Sequence, residues 1–296
     1  MTKFNWNYSG NGIKRVRTLL MEHGVTRTLL KKIKFHGGKI IVNGVEQRAN
    51  YMLKTGDMVT LILPPEPNND NVPASFAAIQ IAYEDEHFLV VNKPPGLATV
   101  PNHNYHGDTL VNRVKGYYLN QQYSNLKIHV VTRLDRDTSG LVIFAKHHLA
   151  HSVLDKQLKQ HQIMKMYIAI VNGYFNFDHG EIDLPIERQA DSFVKRCVGS
   201  SGKPSKTEFW QQKFNSNYSL LRVRLHTGRT HQIRVHFSAI GHPLIGDWLY
   251  NPNDHQMKRQ ALHCYYLRFF NPFTQSFITC RANLTVDIQN VIWREF

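Results

Sequence analysis

The stretch Pro64-Pro65-Glu66-Pro67-Asn68-Asn69-Asp70-Asn71-Val72-Pro73 restricts the chain more than any other. Proline has no amide proton to give to a helix or a sheet, and it drives the residue before it into extended backbone. The remaining residues of the stretch offer almost nothing to bury. A segment of this kind joins folded units and does not run through the middle of one. It divides the chain into a small module at 12–64, a linker at 65–75 and a long unit at 76–296. A total of 296 residues suits two domains better than one, and 42% hydrophobic residues supply the cores they need.

Charge bounds the partners. Thirty-six Lys and Arg stand against 22 Asp and Glu, a net +14 with histidine neutral. That excess says nothing of the fold, but it favours a polyanionic partner through steering and counterion release. An anionic membrane surface is the competing reading. No apolar run is long enough to span a bilayer and no charged-then-apolar leader opens the chain, so a soluble protein is expected, and no membrane partner. Cys197, Cys264 and Cys280 are odd in number, far apart and outside any Cys-x-x-Cys pattern. They argue against a disulfide framework and a structural zinc site, and fit a reducing cytoplasm.

Within the module, Ile13, Val16, Leu19 and Leu20 recur at helical spacing, and Gly24 is placed to end that helix. A second helix is predicted with Leu29, Leu30 and Ile33 inward and Arg27, Lys31, Lys32 and Lys34 outward. A strand at 39–42, the hairpin signal Asn43-Gly44 and a closing strand through Val59, Leu61 and Leu63 follow. Two helices with a basic face ahead of a small sheet carrying Ile-Val-Asn-Gly resemble the S-four-like RNA-binding domain. That resemblance makes Arg27, Lys31, Lys32 and Lys34 RNA contacts; the plainer alternative is a solvated helix face.

Beyond the linker, 88–91, 140–144 and 220–225 read as strands, and 152–160 and 230–240 as helices, the latter with Ile233, Phe237 and Ile240 on one face. Strands and helices do not alternate strictly. The expected class is therefore α+β: a mixed, mostly antiparallel sheet flanked by helices, preceded by the small α/β module.

Chemistry concentrates in His129-Val130-Val131-Thr132-Arg133-Leu134-Asp135-Arg136-Asp137-Thr138-Ser139-Gly140-Leu141-Val142. A carboxylate between two arginines, on a turn entering an apolar strand, is held in its charged form and can act as nucleophile or base. On physics alone, a surface charge cluster is the commoner explanation of such a sequence. Arg-Leu-Asp-x-x-Thr-Ser-Gly-Leu, however, resembles the catalytic motif of the RluA family of pseudouridine synthases. Four further stretches resemble that family in the same order. They are Val90–Leu97, Lys165–Gly173 with its tyrosine, Thr227–His236 followed by Gly241–Asp247, and Ala261–His263 with Asn271–Thr274.

The resemblance implies an isomerase that breaks the glycosidic bond of a uridine in RNA, turns the uracil and rejoins it through carbon. It implies Asp135 as catalytic carboxylate, Tyr167 stacked on the uracil, and Arg234 as the cation beside Asp135, with Arg229 the second choice. Arg133 would contact the RNA backbone or fill the space left by the flipped base. No cofactor and no metal are expected, and a monomer is. Large-subunit ribosomal RNA is the expected substrate and transfer RNA the alternative.

Two other classes compete. A non-catalytic RNA-binding or ribosome-assembly protein would lack Asp135 or Tyr167, and both are present. A glycosidase using Asp135 and Asp137 needs carboxylates roughly 5–9 Å apart, which alternate residues of a strand do not provide. His147 and His151 stand four apart, a helical metal spacing, but solvated or pairing histidines are the better reading. His226, His231 and His236 are assigned to orientation or RNA contacts.

Overall fold

The structure, a computed structural model, describes residues 2–68, 70–101 and 107–296, so Asn69 of the linker lies outside the described residues. The first part of the chain holds β1 (Lys3–Asn7), β2 (Lys14–Arg15), α1 (Val16–Glu22), α2 (Arg27–Phe35), β3 (Lys39–Val42), β4 (Val45–Glu46), β5 (Met52–Leu53) and β6 (Met58–Ile62). A four-stranded antiparallel sheet runs β1-β6-β3-β4, so its first strand lies upstream of residue 12. Asn43 and Gly44 take φ 50° and 85°, the left-handed pair that a tight hairpin between β3 and β4 requires. Val16, Leu19, Leu20, Leu29 and Ile33 are buried as the helical spacing predicts. Ile13 is not. It stands 69% exposed, because Lys14 and Arg15 pair with Leu53 and Met52 as a short ladder and the helix starts only at Val16.

The second part holds β7 (Gln80–Glu84), β8 (Phe88–Lys93), α3 (Leu110–Asn120), β9 (His129–Val130), β10 (Ser139–Ala145), α4 (His148–Lys159), β11 (Met164–Asn172), β12 (His179–Asp183), β13 (Ile186–Arg188), β14 (Arg196–Val198), β15 (Lys206–Phe214), β16 (Tyr218–Leu225), α5 (Gln232–Ala239), β17 (Leu262–Asn271), β18 (Ser276–Arg281) and α6 (Val286–Glu295). One ten-stranded sheet runs β12-β15-β16-β11-β17-β10-β8-β7, with β18 added to β17 and β9 to β10. Its pairs are antiparallel except β10 with β17, which run parallel through Ser139↔His263 and Gly140↔Cys264. The fold is the expected α+β class, with the sheet mixed by that one pairing. Gly140 makes the pairing possible: its φ is +111°, and a Cβ there would lie 2.2 Å from the Cys264 carbonyl oxygen. The Asp135 loop is thereby fixed to the centre of the sheet.

The two parts share a core. Leu149 and Val153 of α4 lie in the same apolar cluster as Leu20, Leu29 and Leu61. The segment between the parts is pinned as well. Glu66 accepts from His129 Nε2 at 2.8 Å, the His148 amide at 2.9 Å and Asn125 Nδ2 at 3.0 Å. Further on, the carbonyls of Val72 and Pro73 accept from Lys115 and Asn112. Its composition predicts a stretch with little to bury, and polar anchoring is what holds it. Among the described residues no helix is long and apolar enough to cross a membrane.

Candidate active site

The loop from β9 to β10 carries Asp135, and several side chains pin its backbone. Thr99 Oγ1 donates to the Leu134 carbonyl at 2.7 Å, and Thr132 Oγ1 accepts from the Ile143 amide at 3.0 Å. The Lys93 ammonium, with no exposed surface, donates to the carbonyls of Pro94, Leu97 and Arg136 at 2.9, 2.8 and 2.8 Å. It fastens the 94–97 turn to the Asp135 loop. Burial pushes its pKa down to about 7 against the opposing charges of Asp137 and Asp135. Asp135 and Asp137 sit in a turn, not on a strand, which removes the spacing argument against paired carboxylates but not its conclusion. Asp137 is already engaged by Arg136 at 2.8 Å and lies near Trp248 Nε1 at 3.4 Å.

Helix α5 brings the cation. Arg234 Nη1 donates to Asp135 Oδ2 at 3.1 Å, while its Nε and Nη2 reach the two oxygens of Asp247 at 2.7 and 2.8 Å. Arg234 is 3% exposed and Asp247 fully buried, so each charge depends on the other. Burial works against the charge on Arg234, but the Asp247 hydrogen bonds and the charges of Asp247 and Asp135 outweigh it and raise its pKa. Asp247 also accepts the amides of Leu249 and Tyr250, both at 3.1 Å, and so shapes the turn that sets the Tyr250 ring 5.1 Å from the Arg234 guanidinium. The Asp135 side chain keeps 26% of its surface exposed, which leaves it reachable.

Tyr167 comes from β11, paired with Val223 on one side and Cys264 on the other. It is buried, and burial, followed by the neighbouring Cys264 and the Asp135 charge, keeps its hydroxyl protonated with a pKa well above the usual tyrosine range. The three residues are far apart along the chain, and the resemblance implies one site for them; in the fold Arg234 bonds Asp135 directly and Tyr167 lies close enough to feel the Asp135 charge. Arg229 does not join them. It is exposed and donates to the Pro204 carbonyl at 3.1 Å. Arg133 is exposed on the Asp135 loop, and Arg27, Lys31, Lys32 and Lys34 are exposed on α2. Asp247 was given no role from sequence, although a buried arginine demands a carboxylate. His147 is no helical partner of His151. It caps α4, and its Nε2 meets His87 Nδ1 at 3.0 Å. Among the described residues, the one potential metal-ligand group is Glu181, Glu208 and His226, where Lys206 and Arg224 already lie against the carboxylates.

The family described as RNA pseudouridylate synthase matches residues 87–239, a span that includes Asp135, Tyr167 and Arg234. The chain belongs to this family. The synthase is 38% identical over 273 residues to an uncharacterized RNA pseudouridine synthase of Bacillus subtilis, YjbO, covering 92% of this chain and 95% of that one. It is 32% identical over 304 residues to the ribosomal large subunit pseudouridine synthase D of Buchnera aphidicola, covering 96% and 94%. The solved human RNA pseudouridylate synthase domain containing 1 shares the fold at a TM-score of 0.57 and 24% identity, over 75% of this chain and 96% of that one. The synthase is thus an isomerase acting on RNA.

Proposed function

We propose that this synthase converts uridines of large-subunit ribosomal RNA to pseudouridine in the cytoplasm, as a monomer, with Asp135 as the catalytic carboxylate. The observation that carries the proposal is the chain of contacts from Asp247 through Arg234 to Asp135, a reachable carboxylate with a buried, doubly anchored guanidinium behind it. The ribosomal substrate is supported by relatives named for the large subunit.

The isomerisation leaves the oxidation state unchanged and loses no atom, so the groups needed are those that move a glycosidic bond. Asp135 acts at the sugar, as nucleophile or as base toward a sugar proton. Arg234 holds and orients it in a place partly shielded from water, where a charge is worth more than in bulk solvent. Tyr167 supplies a flat wall for the detached uracil. Taking the uridine out of its stack costs a few kcal/mol, which phosphate contacts offset. Arg133 and, with less direct access, Arg229 supply such contacts near the site. An S-four-like RNA-binding module over 12–64 supplies others through Arg27, Lys31, Lys32 and Lys34.

Pseudouridine mapping of total RNA from cells with and without the gene tests the substrate, and single-turnover assays on the mapped RNA test the site. The expected result is a site lost from large-subunit RNA and no product from Asp135→Asn, with RNA affinity little changed. A modification lost from transfer RNA instead overturns the substrate, and appreciable turnover by Asp135→Asn overturns the mechanism.

A further inference from the structure

Helix α5 begins in an unusual way. Its N-cap, His231, sits in the left-handed region at φ 56°, ψ 19°, and its side chain makes no cap hydrogen bond. A residue with a Cβ adopts this backbone at a cost, and asparagine or glycine would serve the turn better. Strain held at such a place points to what the side chain does there. The side chain is 11% exposed, and its Nε2 faces Asp135 Oδ1 at 3.9 Å. The other carboxylate oxygen, Oδ2, is the one taken by Arg234. Oδ1 is therefore the oxygen left for chemistry, and His231 looks directly at it.

Hydrogen-bond bookkeeping favours one tautomer of the ring. The Tyr250 hydroxyl accepts from the Arg196 amide at 2.9 Å and lies 3.1 Å from His231 Nδ1. Burial pushes the Tyr250 pKa up to about 12, so the phenol keeps its single proton. With its oxygen already accepting from Arg196, the phenol is placed to donate that proton to Nδ1, and in that arrangement the ring's own proton sits on Nε2, toward Asp135. We propose that His231 is a positioning residue of the reaction, a neutral N–H donor, set by Tyr250, that orients Asp135 Oδ1 and closes on it when RNA fills the site. This inference rests on the assignment of Asp135 as the catalytic carboxylate.

Neutrality matters to the role. A protonated ring would be a second cation beside Arg234 and would make the carboxylate less reactive toward the sugar. The groups facing His231 are Asp135 from the β9–β10 loop, Arg234 on its own helix, Asp247 and Tyr250 from the turn after α5, and Arg196 from β14. Burial lowers the His231 pKa below 6.5, and Arg234 and Arg196 work in the same direction against the acids. The ring is thus neutral above that range and gains its proton only as the pH falls below it.

The test is single-turnover pseudouridine formation by the full chain on its mapped RNA, with affinity, thermal melting and a pH profile measured alongside. Glycine accepts a φ of 56° without penalty, so His231→Gly separates backbone entry into α5 from the work of the ring. The expected result is melting unchanged or raised, affinity unchanged and a rate lower by about 10- to 100-fold, the loss typical when a residue that orients a metal ligand is removed, carried over to one that orients a carboxylate. His231→Gln, whose amide can donate where Nε2 does, regains part of the rate and lacks the wild-type fall at acid pH. A His231→Gly enzyme at the wild-type rate, or a His231→Gln enzyme with the wild-type acid limb, overturns the inference. Asp135→Asn in the same assay keeps the outcomes distinct. Turnover by that variant overturns the underlying assignment, whereas its inactivity beside a fully active His231→Gly overturns only the role given to His231.

Discussion

Asp247 has no surface, and Arg234 has 3% of its own. Two charges so placed must each cover the other's loss of water, and here two short hydrogen bonds to Arg234 and two backbone amides to Asp247 do it. Asp135 stands differently, with 26% of its side chain exposed and one bond to the guanidinium. The two acids on one arginine should therefore fail in different ways. Asp247→Asn leaves Arg234 buried against a neutral partner and should lower stability by about 3–5 kcal/mol, read from urea denaturation. It should also slow the reaction, because Arg234 loses the anchor that aims it. Asp135→Asn should lower stability by less than about 1 kcal/mol and abolish turnover. Equal stabilities for the two variants would contradict this division of roles. Short motifs marked Asp135, Tyr167 and Arg234, and the pairing of Arg234 with Asp135 that the resemblance implied is present. Asp247 lay inside one of those motifs, but its role could not be read, since it depends on burial and on a partner thirteen residues away.

At the scale of elements, an amphipathic helix was legible where one face is buried, as in α2, whereas α5 is buried all round from Gln232 to Phe237. The seam between the two parts was not legible. Proline and asparagine there read as loose, while the hold is exerted by Glu66 and by histidines distant in sequence. His147 is 3% exposed, and burial, then the charge of His87, lowers its pKa to about 3. His148, His151 and His87 move in the same direction, all with burial as the first cause. A histidine whose folded pKa lies below 6.5 is protonated first in the unfolded chain, so its contribution is complete above 6.5 and is lost as pH falls below it. For His147 alone, the loss by about pH 5 is roughly 2 kcal/mol. Glu66, held at about 2 by His129 and the backbone against the opposing effect of burial, adds a second loss that starts near 4.5. Melting temperature should therefore fall between pH 6.5 and 5, before Glu66 begins to lose its charge. His147→Asn, which can still cap α4 but takes no proton, should flatten that fall. An equally steep fall in this variant would move the acid sensitivity elsewhere.

Across the whole molecule the +14 charge needs an address. Arg27, Lys31, Lys32 and Lys34 stand exposed on one short helix, yet removing the first 72 residues would not test them cleanly. Leu149 and Val153 of α4 would lose the apolar cluster that covers them, and the Glu66 contacts would go as well. Lys32 is better left in place, because its ammonium lies 3.4 Å from His148 Nδ1 at the seam. The clean variant is Arg27→Gln, Lys31→Gln and Lys34→Gln together, three exposed side chains. If each meets a phosphate, each released counterion contributes about 0.7 to the slope of log affinity against log salt on single-stranded RNA, and nearer 0.9 on a duplex. The triple variant should then be shallower by about 2 to 3 and bind more weakly at low salt. At saturating RNA its single-turnover rate should equal the wild-type rate, because all three stand on α2 and none belongs to the loop or helix that builds the Asp135 site. A parallel salt line would show these residues to be a solvated face. A shallower line with a reduced saturated rate would mean that the module also sets how the uridine enters the site.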